Sequence, residues 1–165
     1  MGITIGPADW WVSTPDGIDG LAISCPVGTI LPDCSALICR AGGVAWIVAP
    51  QSTEVSSAWA GGQYNTTLVG DKCCVSEWSS LCSALVSAGF NPGDWFVPSR
   101  SQLENPGYVC RTNWDSFSAS CYWSSTEFND TLAFRVCYVN NSCPPAGNFS
   151  KTCIHCVRAF RCVTY

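Results

Sequence analysis

The chain has 165 residues, a formal net charge of −4 and a pI near 4.7, with 47% hydrophobic but only 12% charged residues. That length suits one domain, or one domain with a short arm, and the apolar content excludes an intrinsically disordered chain. Eight Lys and Arg are too few for the dense basic face of a nucleic-acid binder. No apolar run approaches the ~20 residues of a membrane-spanning helix.

Residues 1–24 are rich in Gly, Pro and Asp, with Trp10-Trp11 as an apolar island. They read as an extended arm ahead of a domain at 25–165, and the tryptophans are its expected docking or oligomerisation contact. The first residues lack a basic start, and Pro7, Asp9 and Asp16 interrupt them, so no secretory signal is expected. Residues 44–48 form an apolar, β-branched run closed by Pro50, which predicts a strand. The small, polar stretch 51–67, with Trp59 and Tyr64, reads as a contact-bearing surface loop.

Residues 76–88 predict a helix, because Trp78, Leu81, Cys82, Leu85 and Val86 fall on one stripe. Ser76 is a candidate cap and Gly89 a left-handed stop. Ser99 and Gln102 form a capping box that opens a short second helix, ended before Pro106. Strands are expected over 121–128, 131–139 and 152–163; in the second, Leu132, Phe134, Val136 and Tyr138 alternate with Ala133, Arg135 and Cys137. Helices followed by a run of strands indicate an α+β fold.

There are 13 cysteines, an odd number. Such density points first to disulfides, although buried core thiols and a metal site are open alternatives. The metal reading rests on Cys153 and Cys156 with His155 between them, and on Cys143, Cys162, the Cys73-Cys74 pair or Cys137 as further ligands. If that stretch is a strand, Cys153 and Cys156 face opposite sides, which opposes chelation. His155 is then a half-exposed strand residue.

Asp94-Trp95-Phe96-Val97-Pro98-Ser99, Tyr122-Trp123-Ser124-Ser125-Thr126 and Cys156-Val157-Arg158 occur in that order. With Cys82 and the alternating strand, they resemble the Lcl C-terminal-like (DUF1566-type) branch of the C-type-lectin fold. That branch includes phage tropism determinants. Phe96 and His155 stand where the family pattern has arginines. The resemblance covers about residues 40–163. It implies two helices packed on a twisted antiparallel sheet, a disulfide between Cys82 and Cys156, and scaffold roles for Trp95 and Trp123.

It also implies that ligands meet the irregular segments 104–120, 128–131 and 140–151. Candidate contacts are Tyr108, Arg111, Asn113, Trp114, Asp115, Phe128, Asn129, Asn140 and Asn141, since rings stack on sugars while amides and carboxylates bond hydroxyls. Trp114 and Phe117 have the alternative of plugging their loop onto the core. No cofactor is expected; calcium is conceivable through oxygens of Asp115, Asn129, Asp130 and Asn140.

The expected function is non-enzymatic: a phage virion component (head decoration, fibre or tail tip) presenting loops to host-surface glycans or proteins. Its partners would be other virion proteins or further copies of itself through the arm. A secreted or cell-surface lectin or adhesin is the alternative. A formylglycine-generating-enzyme-like oxidase is the remote one, because likeness of fold does not transfer function.

Overall fold

The computed structural model describes residues 11–13, 19–21, 25–62, 72–139 and 146–164. Trp10, Asn140, Asn141 and Cys143 lie outside the described residues, and Trp11 is placed by its backbone alone. The architecture is α+β, with a three-stranded and a five-stranded sheet. The five-stranded sheet is mixed rather than purely antiparallel.

Two short strands, β1 (Trp11–Ser13) and β2 (Asp19–Leu21), pair antiparallel. Next come β3 (Ala36–Ala41) and the expected β4 (Val44–Val48), joined by Gly42 and Gly43. Both glycines have positive φ, the geometry of a two-residue hairpin turn matched to strand twist. The last strand, β10 (Phe160–Thr164), pairs with the other side of β4, so both ends of the domain meet in one sheet.

The larger sheet has the order β5 (Val55–Ser57), β9 (His155–Val157), β6 (Cys121–Glu127), β7 (Leu132–Cys137), β8 (Gly147–Ser150). Residues 152–163 thus form two strands in different sheets rather than one. Arg158 and Ala159 make the crossing, and both are buried. The surface loop expected at 51–67 instead contains strand β5 and the fully buried Trp59. That indole donates to the Ser124 carbonyl at 2.9 Å and meets Trp78 edge-on.

Helix α1 (Ser79–Ser87) starts later than expected, after a 3-10 turn at Val75–Glu77; Trp78 occupies the cap position in place of Ser76. Leu81 and Leu85 are buried, but Val86 is 58% exposed and falls off the stripe. Gly89 stops the helix at φ +87°. The capping box is present: Ser99 Oγ accepts from Gln102 N and Gln102 Oε1 accepts from Ser99 N at 2.8 Å. Helix α2 (Arg100–Gln102) runs into a wide turn, Leu103–Tyr108, where Asn105 leaves helical geometry ahead of Pro106.

Two cores flank the sheets. One gathers Trp59, Trp78, Leu81, Leu85, Trp95 and Trp123 beneath α1. The other is aromatic, built on Tyr108, Trp114, Tyr122, Tyr138 and Phe160. Strand β7 serves both, with Ala133 in the first and Val136 in the second, which Tyr138 joins just past the strand's end. The alternation therefore marks two buried faces, not one buried and one wet.

The cysteine expectation is corrected. Cys82 and Cys156 are free thiols, because Cys82 packs on the first core and Cys156 belongs to the second. The bridge present joins Cys121 and Cys137, directly opposed across β6 and β7, with a sequence separation of 16. A loop of that length stabilises by about 3 kcal/mol in the chain-entropy account.

Replacing Trp59 by Ala removes a buried ring and leaves the Ser124 carbonyl without its donor. Urea denaturation of Trp59→Ala is expected to show a loss of about 3–5 kcal/mol; a loss below about 1 kcal/mol, the range of an exposed side chain, contradicts this packing.

Candidate functional site

In a chain with so little charge, the buried ions organise the structure. Arg158 is only 1% exposed and sits where β9 crosses to β10. Its guanidinium forms an ion pair with Asp115 and reaches Glu54 at 3.4 Å. It also donates to the Ser116 carbonyl and, through Nε, to the Ala49 carbonyl at 2.8 Å. The planar fork of donors matches such a divided set of acceptors, which a lysine could not span.

The acceptors pass the tie outward. Asp115 Oδ2 accepts from Gln51 N at 2.8 Å. Glu54 accepts from the Tyr122 hydroxyl at 2.7 Å and from the Ser118 hydroxyl, while Tyr122 Oη accepts from Ser118 N at 2.8 Å. Burial, followed by the bonded Glu54, pushes the Tyr122 phenol well above its ordinary pKa, so it stays a donor. Residues 114–118 are thereby fixed to β6, to the turn Gln51–Thr53 and to the chain crossing.

Beneath the segment, Trp114 is 6% exposed and meets the rings of Phe117, Tyr122, Tyr138 and Phe160 edge-on. Tyr108 is also buried; it packs on Tyr138, with the Arg111 guanidinium 3.9 Å above its ring. Trp114 and Tyr108 are therefore core anchors of their loop and not free ligand contacts, because the aromatic core encloses them. The outer surface of the segment, with Val27, Gly28 and Ile30 opposite, encloses a solvent-open cleft of about 510 Å³. Residues 111–117 supply its near wall, with only the small exposed edge of Trp114 reaching it. Asn113 Nδ2 donates to the Ile38 carbonyl at 3.0 Å and fixes that wall against β3.

The structure brings together Arg111, Asn113, Trp114 and Asp115, but not Phe128 and Asn129. Those two lie in the β6–β7 turn, where Asn129 Oδ1 accepts from Thr131 N and Leu132 N. Phe128 is 50% exposed, edge-on to Phe134. The oxygens proposed for calcium are thus already bonded at Asp115 and Asn129, and among the described residues no three of His, Cys, Asp and Glu gather around one point. Cys137, a candidate metal ligand, is held in the disulfide.

Glu54, Gln51 and Ser118 were not singled out from the sequence. The available signal is that Glu54 is the sole charged residue between Arg40 and Asp71. A second buried pair, Lys151 with Glu127, was also unread; the ammonium donates to the Asp130 carbonyl at 3.0 Å and lies 4.5 Å over the Trp59 ring. His155, on β9, stands 3.0 Å from Arg135 Nη1; burial, then that cation, lowers its pKa to about 4.

The fold and the cleft define an α+β domain in which one irregular segment, clamped by a buried arginine, forms a cleft wall. No family model and no curated protein matches the chain. Among solved structures, a fimbrial protein from Bacteroides ovatus ATCC 8483 is similar over 53% of this chain and 20% of its own, at 24% identity and a TM-score of 0.35. The chain thus spans a fifth of that protein's length.

Two outcomes follow. Arg158→Met leaves Asp115 and Glu54 without their cation and is expected to cost about 3–5 kcal/mol in urea denaturation; a neutral result contradicts the clamp. For His155, the folded pKa of about 4 lies below its ordinary 6.5, so the unfolded chain binds the proton first. This group's contribution is fully present above pH 6.5 and is lost as pH falls towards 4. Denaturation midpoints across that window are expected to decline less steeply in His155→Gln; identical slopes contradict the assignment.

Proposed function

We propose that this protein is a non-enzymatic, surface-exposed binding domain on a C-type-lectin-like scaffold. Its cleft between residues 27–30 and 111–117 takes a host-surface glycan. The carrying observation is the combination of an open cleft of about 510 Å³ with a polar wall held by buried charge. Sugars need such a wall fixed in advance, because each hydroxyl bond is worth little if a loop must be ordered to make it. Thr112 and Ser116 are exposed along it, and Asn113 and Asp115 are half-buried beside them. Phe117 adds an apolar surface for a ring face.

The scaffold reading is supported by the order of its parts and by the meeting of β3, β4 and the last strand, β10, in one sheet. The motif residues act as framework: Ser124 Oγ donates to the Phe134 carbonyl at 2.7 Å, and Thr126 Oγ1 accepts from Arg100 N at 3.0 Å. Ser124 and His155 have separate partners, which favours binding over nucleophilic chemistry. The weakly charged exterior suits a virion component exposed to the medium, docked through its N-terminal arm to virion proteins or to copies of itself. It suits a secreted or cell-surface adhesin as well.

A glycan array probed with the full chain and with Thr112→Trp tests the reading. The wild type is expected to retain a defined set of glycans, and the variant, its cleft filled by the new ring, to lose them while keeping its denaturation midpoint. Equal glycan binding by both proteins, or none by the wild type, overturns it.

A further inference from the structure

Cys110 precedes the Arg111–Asn113 turn that begins the cleft wall, and Cys39 lies on β3 next to Ile38, whose carbonyl accepts from Asn113. Both side chains are half-buried against the same aromatic core, and β3 packs against the Arg111–Asn113 turn that Cys110 precedes, which brings the two thiols near enough to act on one another. Among the described residues the competing partners are poorly placed: Cys156, on the same core, lies in the other sheet, opposite Ser56 of β5 and beside Tyr122 of β6. Cys25, Cys82 and Cys153 pack on the other core, while Cys34, Cys73 and Cys74 are exposed. Cys162 lies across Trp46 from Cys39, two strands away. That spacing is about 9.5 Å, beyond the ~7 Å between Cα atoms that a disulfide tolerates.

We propose that Cys39 and Cys110 close a second disulfide when the protein meets oxidising surroundings, locking the cleft wall onto β3. The co-reactant is a low-molecular-weight disulfide such as oxidised glutathione. The Cys39 thiolate attacks one of its sulfurs, forming a mixed disulfide and releasing one glutathione. The Cys110 thiolate then attacks the Cys39 sulfur, which forms the internal bond and releases the second glutathione. In total two protein thiols become one disulfide, and one oxidised glutathione becomes two reduced molecules.

Burial, and then the neighbouring Cys39, raise the Cys110 thiol to about 11, so closure quickens as pH rises toward that value. The Cys121–Cys137 bridge already ties the far end of the segment. Closure would therefore hold residues 110–121 covalently at both ends. This inference rests on the packing of Cys39 and Cys110 on one core and not on the identity of the cleft's ligand.

The test incubates the full chain across a series of glutathione redox ratios at pH 8, blocks free thiols with an alkylating agent, and maps peptides without reduction. Cys39→Ser and Cys110→Ser run in parallel. The expected result is a Cys39–Cys110 cross-link in the wild type that both variants lack, with Cys121–Cys137 intact in all three proteins. Tryptic cleavage after Arg111 in native protein should slow severalfold on oxidation of the wild type and stay unchanged in Cys110→Ser. Alkylated Cys39 and Cys110 at ratios where Cys121–Cys137 is closed, or Cys39 joined to Cys162, overturns the pairing. Equal cleavage of oxidised wild type and Cys110→Ser overturns the locking.

Discussion

One buried guanidinium determines where the cleft wall at residues 111–118 lies. Arg158, at the crossing between its own two strands, joins two stretches far from it and from each other in sequence: residues 49–54, through Ala49 and Glu54, and residues 115–116. A buried charge is costly unless its bonds are made, and here the acceptors come from both stretches. Satisfying Arg158 therefore assembles all of them at once. The price of leaving any one out is an unpaired ion in the interior, which makes the arrangement close to all-or-none.

This explains how an irregular segment can present a fixed wall. Residues 111–118 have little repetitive structure, yet they rest on Trp114 beneath, on the Arg158 network behind and on β3 at one side. Trp114 anchors the segment inward, Asn113, Asp115 and Ser118 bond it to the framework, and Thr112 and Ser116 are left exposed at the cleft edge. The large side chains that look like ligand contacts serve as foundation, and the smaller residues between them, such as Thr112 and Ser116, form the exposed surface.

Local signals in the sequence were read well where the physics is local. The strand at 44–48, the stop at Gly89 and the Ser99–Gln102 capping box depend on neighbours within a few residues, and each is present. The Gly42-Gly43 hairpin was equally legible and passed unread. Non-local features were not accessible in the same way. Trp59 has polar neighbours in sequence and becomes core through Ser124 and Trp78, partners that only the tertiary fold supplies. Cys82 and Cys156 sit on separate cores, a fact no spacing reveals, whereas Cys121 and Cys137 are paired by strand register. The segment 104–120 was identified as a surface-forming element, but the inward and outward roles of its residues were not separable without the core.

The most direct measurement of the central claim is amide hydrogen exchange in Arg158→Lys, which keeps the charge and removes the fork. If the guanidinium clamps the wall, exchange over residues 111–118 accelerates severalfold while α1 retains its protection. Unchanged exchange at 111–118, with the variant folded, would show that the wall stands without Arg158.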